Sequence, residues 1–355
     1  MSTSAPTLPT RARPRARGAL AVLYAMLLAT PLGVMLLLGP SHVDDNNPPA
    51  RWPTLADPWS LIPHRFEIAF DRTFGGRPSL VAAYHRLFVL TLGAPSMAAG
   101  VDRGAPIRHV LVGTGGELFY SRDGIEPHRA ATPWPPAVRD AWRAELRRRA
   151  AWFATHGVRY LVVIAPDKQS LYDEALPSWA RRVGSPWLDV LYRDLAQDGV
   201  AAVDARPALG TGRRTARTYW RTDSHWNAFG ACLAAAEVVA QLQRPVPPCA
   251  PVSTANNGGG DLAALLGLRH ALVDEAASPP HAPTDAPTGH LLLAGDSFAA
   301  ALSGALARSF ASVSQLNTEG LDGAAALALR PDVVVDEIVE RKLAMPPPRA
   351  RLSAP

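Results

Sequence analysis

The chain has 355 residues, 48% of them hydrophobic, with 34 prolines, two cysteines and a formal net charge of +5. That is enough apolar material for one large domain or two small ones. Arg11, Arg13, Arg15 and Arg17 account for four of the five charges, so +1 remains elsewhere and no basic stripe is left for nucleic acid.

Residues 1–17 read as a disordered cytoplasmic tail. Residues 18–39 carry no charge and are numerous enough, at helical rise, to cross a bilayer core. Arginines before this stretch and Asp44 and Asp45 after it orient the N-terminus to the cytoplasm. A cleavable signal peptide is the alternative, but no small-x-small cleavage site follows Leu38. The expectation is an uncleaved signal anchor in the cell inner membrane, single-pass, with the remainder periplasmic. Residues 40–64 read as a Pro, Asn and Asp-rich linker, residues 65–343 as the folded domain and residues 344–355 as a disordered tail.

From Arg65 to Leu92 the apolar spacing is helical, interrupted by Gly75 and Gly76. His109 to Val112 and Leu118 to Tyr120 read as two short strands around a glycine-rich turn. A repeating strand and helix pattern follows. Pro136 to His156 is a helix closed by Gly157, and Tyr160 to Ile164 is a continuous apolar run, as in a strand buried on both faces. Pro186 to Asp198 is a helix, Val200 to Val203 a strand and Trp226 to Leu242 a helix. Residues 251–289 read as a long surface connection. Leu291 to Leu293 is a central strand leading to a helix from Phe298 to Ala307, and Val333 to Val335 is a late strand. The alternation predicts an α/β fold with a mostly parallel sheet and helices on both faces.

Two segments carry candidate chemistry. Asp223 and His225 offer a carboxylate and an imidazole two residues apart. Ser297 stands behind Gly295 at the end of an apolar strand, where a helix N-terminus presents free N–H groups. A hydroxyl becomes a nucleophile when a base takes its proton and a carboxylate fixes the tautomer of that base. Each segment also has a plainer reading as a helix cap. Metal ligation by Asp223, His225 and either His270 or Asp261 matches no defined spacing, so no metal and no cofactor is expected. Cys232 and Cys249 are placed to form one disulfide outside the cytoplasm, or Cys232 is a small buried helix residue.

Taken together, Asp223-Ser224-His225-Trp226 and Gly295-Asp296-Ser297-Phe298 resemble the SGNH-hydrolase-like polysaccharide O-acetyltransferases of the AlgJ/AlgX group. Further blocks are similar to that family: Asp71 to Arg77, Val112 to Phe119, Ala165 to Lys168 with Tyr172, Gly260 to Gly267, and Arg330 to Arg341. The resemblance implies a three-layer α/β/α sandwich, preceded here by one N-terminal transmembrane helix. It implies Ser297 as nucleophile, His225 as base and Asp223 as the group orienting His225. It also implies a membrane-bound O-acyltransferase partner that delivers acetyl groups, and a polysaccharide acceptor. Lys168, Tyr172 and Asn227 are candidate substrate-binding residues, with fold support and helix capping as their alternatives. The chain ends soon after Leu343, without a carbohydrate-binding module, and so resembles the anchored AlgJ type. An acetyl-esterase with the same triad and a non-catalytic polysaccharide-binding scaffold are the competing functions.

Overall fold

The computed structural model describes residues 51–73, 109–122, 124–256, 258–278 and 287–352, with scattered positions in 18–39 and 76–87. Among the described residues no helix is long and apolar enough to cross a membrane. The expected span at 18–39 lies largely outside them, as does the expected tail at 1–17.

The chain divides into two compact units, Met1–Tyr84 and His85–Pro355. In the first, helix α1 (Ile62–Thr73) stacks Phe66 on Phe70 at 6.1 Å and sets Trp52 edge-on to Phe66 at 5.6 Å. Arg65 pairs with Asp57 there.

The second unit opens with strands β1 (Val110–Val112) and β2 (Leu118–Tyr120), paired antiparallel as their sequence predicts. Gly115 and Gly116 make the turn with φ of 66° and 77°, where a side chain would be strained. The remaining strands are β3 (Arg159–Ala165), β4 (Ala202–Val203), β5 (Val252–Asn256), β6 (Asp274–Ser278), β7 (His290–Gly295), β8 (Ser312–Asn317) and β9 (Val333–Val339). A five-stranded parallel sheet runs β4-β3-β9-β7-β8, and β5 and β6 pair antiparallel outside it.

The helices that cover the sheet are α2 (Pro136–Thr155), α3 (Trp187–Gln197), α4 (Ala228–Gln241) and, after α5 (Asp261–Leu265), α6 (Ala299–Leu306). Strand residues alternate between two cores. Leu161, Val163, Leu291 and Leu293 pack with residues of α4 and α6. Val162, Ile164, Leu292 and Val334 pack with residues of α2 and α3. Both faces are therefore covered, and the continuous apolar runs at residues 160–164 and 291–293 result because these residues are buried throughout. Each fully buried leucine or valine here contributes about 1.5–3 kcal/mol.

Three expectations need correction. The 251–289 connection is not plain loop, because it contains β5, β6 and α5. The strand at Val333 does not stop at Val335. It continues through Asp336 and Glu337, both fully buried. The C-terminal stretch is not a loose tail either. Its carbonyls at Leu343, Met345 and Pro348 accept hydrogen bonds from Trp134, Trp142 and Arg149, and Ala350 is buried. A proline-rich strap with free carbonyls suits buried donors that have no other partner. Cys232 and Cys249 form a disulfide with Cα atoms 5.8 Å apart, tying α4 to the start of the long connection.

Candidate active site

The carboxyl ends of β3, β7 and β9 lie side by side, the place where open parallel sheets form sites. Two loops meet there. The first runs from Tyr219 to Trp226, residues joined by an antiparallel bridge. Asp274, buried at the start of β6, accepts hydrogen bonds from the Thr222 N–H at 2.9 Å and from the Thr222 hydroxyl and Arg221 N–H. The Thr222 carbonyl accepts the N–H of Ala263 in α5 at 3.1 Å. The loop is therefore fixed at both flanks before its functional groups begin.

Asp223 Oδ1 accepts the His225 backbone N–H at 2.9 Å, a tight local turn typical of aspartate. The same oxygen lies 2.7 Å from His225 Nδ1, which therefore carries the ring proton. Asp223 Oδ2 accepts the Asp261 N–H at 2.8 Å. Asp261 in turn accepts the Ser224 N–H at 2.7 Å and the Ser224 hydroxyl at 2.6 Å, and its Oδ2 is 3.5 Å from His225 Nδ1. Burial works against the charge on Asp223, but the hydrogen bonds from His225 and Asp261 hold its pKa at about 2. Burial also opposes charge on His225, yet the Asp223 hydrogen bond and the nearby carboxylates raise its pKa above the ordinary value. Burial and the neighbouring Asp223 charge push Asp261 up.

The second loop is Gly295 to Phe298, between β7 and α6. Asp296 shapes it. Its N–H donates to Glu337 Oε2 at 3.0 Å, Oδ1 accepts the Phe298 N–H at 3.1 Å and Oδ2 accepts the Val339 N–H at 3.0 Å. A Cβ on Gly295 would sit 2.5 Å from Ala299 Cβ and 2.8 Å from Glu337 Oε2, so only glycine allows this packing. Ser297 is left exposed at the tip.

Phe298 joins the loops. Its ring lies 4.7 Å from the His225 ring and edge-on to Trp226 at 5.1 Å, and its carbonyl accepts Trp226 Nε1 at 3.1 Å. His225 Nε2 is buried with no hydrogen-bond partner. The structure thus brings Asp223, His225 and the Ser297 turn to one place, without a hydrogen bond between Ser297 and His225. Such bonds are often absent until substrate is bound.

The other candidates sit differently. Lys168 is fully buried, and its Nζ donates to the carbonyls of Leu118 and Arg221 at 2.9 and 2.6 Å and pairs with Glu117 at 2.8 Å. Burial lowers its pKa to about 8. With three N–H groups engaged it braces the hairpin against the Arg221 loop and has no donor left for a sugar. Tyr172 is buried, its hydroxyl accepting the Thr218 N–H at 3.2 Å beneath Arg213 and Arg217. Asn227 caps α4, accepting the Gly230 N–H at 2.9 Å and donating to the Arg217 carbonyl at 2.7 Å.

Asp274, Glu337 and the bracing of the Ser224 backbone and hydroxyl by Asp261 were not legible in the sequence. Ligand-type atoms of Asp223, His225 and Asp261 lie within 4.8 Å of one another. The imidazole nitrogen in that set is already bonded to Asp223, so the group is paired within itself.

Gly260 gives a direct test of this geometry. A Cβ there would collide with Asp223 Cβ and Oδ2 and lie 2.7 Å from its Cγ. Gly260→Ala is expected to displace Asp223 and lower turnover by about 10²-fold, the scale of a 1 Å misplacement. Gly258→Ala, whose Cβ meets nothing closer than 3.7 Å, should match the parent. Parallel kinetics on both variants check this, and equal activity would refute it.

Solved structures with similar architecture include the O-acetyltransferase domain of Pseudomonas putida AlgJ, at 24% identity and a TM-score of 0.48, covering 67% of this chain and 93% of that one. Pseudomonas aeruginosa AlgX is similar at 17% identity and 0.47, covering 70% of each chain. A DHHW family protein from Eubacterium siraeum follows at 16% and 0.47, covering 66% of this chain and 95% of that one. No curated protein sequence matches the chain. The family described as SGNH hydrolase-like domain, acetyltransferase AlgX, matches residues 110–330, from the first hairpin to the approach of β9. Since that match takes in well over half the chain and both loops of the site, the chain belongs to the AlgJ/AlgX family of SGNH hydrolase-like acetyltransferases.

Proposed function

We propose that this protein moves an acetyl group, through an ester on Ser297, onto hydroxyls of an extracytoplasmic polysaccharide. The observation that carries this reading is His225: Nδ1 is held by Asp223 at 2.7 Å while Nε2 is unengaged beside the Ser297 turn. A neutral imidazole in that tautomer is a base aimed by its carboxylate.

In the first half-reaction the Ser297 hydroxyl oxygen attacks the acetyl carbonyl carbon and His225 Nε2 takes the hydroxyl proton. The bond from that carbon to the donor oxygen breaks, and His225 returns the proton to the departing oxygen. In the second, a sugar hydroxyl attacks the acetyl-serine, gives its proton to His225, and the Ser297 oxygen leaves and recovers a proton. Asp223 stays ionised throughout, stabilising the imidazolium formed in each half.

Acetyl-CoA is on the cytoplasmic side of the membrane, so the donor is read as a multi-pass membrane-bound O-acyltransferase. Four arginines ahead of the uncharged 18–39 stretch and acids behind it support a signal anchor holding the domain in the periplasm near that partner.

The test mixes the full-length chain with an activated acetyl ester and a panel of oligosaccharides, and follows protein and sugars by mass spectrometry. The expected result is acetylated sugar and a transient acetyl adduct, both absent in Ser297→Ala. Free acetate alone, across acidic and neutral sugars, would favour an esterase. Turnover that persists in Ser297→Ala would remove Ser297 from the chemistry.

A further inference from the structure

Two N–H groups beside Ser297 are already committed within its own turn. Of the N–H groups at the start of α6, that of Phe298 is taken by Asp296 Oδ1 at 3.1 Å and that of Ala299 by the Asp296 carbonyl at 3.2 Å. The Ser297 N–H itself has no partner among the described residues. Tetrahedral intermediates of acyl transfer are ordinarily held by more than one preorganised donor. Lys342 Nζ holds Asp296 at 3.2 Å and Glu319 at 2.8 Å, which commits two of its three N–H groups.

Arg341 lies two residues past the end of β9, which pairs with β7, the strand that leads into the Ser297 turn. Its guanidinium lies 5.5 Å from the Phe298 ring centre and 5.2 Å from that of Tyr120. Nη1 is fixed on Asp167 Oδ1 at 2.6 Å, and the side chain is 16% exposed. Among the described residues its Nε and Nη2 groups have no hydrogen-bond partner. Arg149 shows what a purely structural arginine looks like in this fold: it is 0% exposed, and Nε, Nη1 and Nη2 are all bonded. Arg341 is instead anchored at one end of its fork and open at the other.

We propose that Arg341 is the second oxyanion donor of this site, turning the open edge of its guanidinium toward the carbonyl oxygen of the acyl group on Ser297. The proposal rests on Ser297 being the acylated residue. A fixed, partly desolvated cation stabilises a forming oxyanion at no reorganisation cost. The same charge acts on the base. His225 is faced by the carboxylates of Asp223 in its own loop and Asp261 in α5, by Arg341 beyond β9, and by the uncharged Ser224, Trp226 and Phe298. The carboxylates raise its pKa and Arg341 lowers it. Arg341 therefore keeps a larger share of His225 neutral, as a base must be.

The experiment uses the full-length chain, 4-methylumbelliferyl acetate as probe, and the parent with Ser297→Ala, Arg341→Gln and Arg341→Lys. Arg341→Gln is expected to lose about 10²–10³ in kcat, the scale of one oxyanion donor, with KM little changed. The acidic limb of its pH profile should move to higher pH, and NMR titration of the His225 imidazole should move the same way. Arg341→Lys keeps the charge but not the fork, so its limb should stay in place while kcat falls part of the way. A loss confined to KM, or a His225 titration unmoved in folded Arg341→Gln, would overturn the proposal. Should Arg341→Gln fail to fold, Arg341→Lys decides: a limb displaced despite the retained charge rejects the role. Absence of Ser297-dependent turnover in the parent would instead defeat the acetyl-serine reading, and the NMR titration would still judge the charge of Arg341 on His225.

Discussion

Asparagine in place of Asp223 is expected to lower acetyl turnover by about 10⁴-fold while the protein still folds. The reason is a count of donors and acceptors. The two oxygens of Asp223 accept three N–H groups: the His225 backbone and ring at 2.9 and 2.7 Å, and the Asp261 backbone at 2.8 Å. An asparagine has one oxygen. If that oxygen faces His225, its NH₂ points at the Asp261 N–H. If it faces Asp261, the NH₂ points at His225 Nδ1, which must then lose its proton and place it on Nε2, the wrong tautomer for a base. Either orientation leaves donors opposed, at about 1–3 kcal/mol, far less than the catalytic loss.

The comparison that sharpens this prediction is Asp261→Asn. Asp261 also faces Nδ1, but at 3.5 Å, and its close partners are the Ser224 N–H and hydroxyl. A serine hydroxyl rotates and accepts from an amide as readily as it donates to a carboxylate. The expected loss is therefore about tenfold or less, near 1.4 kcal/mol of barrier. Removing the Asp261 charge makes the imidazolium less favourable, so the pKa of His225 falls. Activity, which needs the neutral base, then reaches to lower pH. Kinetics across pH on both variants would show it, and a larger loss in Asp261→Asn than in Asp223→Asn would assign the orienting role to the wrong carboxylate.

What the sequence made legible follows from the kind of pattern each feature leaves. The central strands at Tyr160 and Leu291 were readable because burial on both faces leaves an unbroken apolar run. The end of β9 was not, because Asp336 and Glu337 look like solvent-facing residues until their buried partners are known. The edge strand β8 escaped for the opposite reason: Ser312 to Asn317 is half exposed and reads as loop. Asp223 and His225 were legible because the pair is local, two residues apart. Asp261, Asp274 and Arg341 lie 38, 51 and 118 residues from Asp223 in sequence, and only the fold brings them near it. Lys168 shows the converse limit. A lysine in a loop invites a substrate role, and its burial against two carbonyls and Glu117 could not be read in advance.

The largest expected effect on stability lies beneath the sheet, at Arg149 of α2. Its guanidinium donates to Glu145 at 2.9 Å, to Asp336 at 2.8 Å and to the Pro348 carbonyl, so one side chain joins α2, the middle of β9 and the C-terminal strap. Asp336 also accepts the hydroxyls of Tyr160 and of Thr318, the latter at 2.6 Å. Burial, with the Asp336 charge beside it, pushes the Tyr160 phenol well above its ordinary range, so its hydroxyl stays protonated beside a carboxylate whose counter-charge in direct contact, among the described residues, is Arg149. Arg149→Ala removes that charge and leaves Asp336 without its partner in the core. The expected cost is about 3–5 kcal/mol, read as a fall in the urea midpoint with an unchanged slope. A second variant separates the lost pair from the orphaned charge. Replacing both partners, Arg149→Met with Asp336→Leu, takes the uncompensated carboxylate away and should recover much of the loss, because a buried ion pair gives little net stability over apolar residues of similar size. If Arg149→Ala alone shifts the midpoint by less than the equivalent of about 1 kcal/mol, the scale of an exposed ion pair, the buried network does not hold the C-terminal strap to the sheet in the way its geometry indicates.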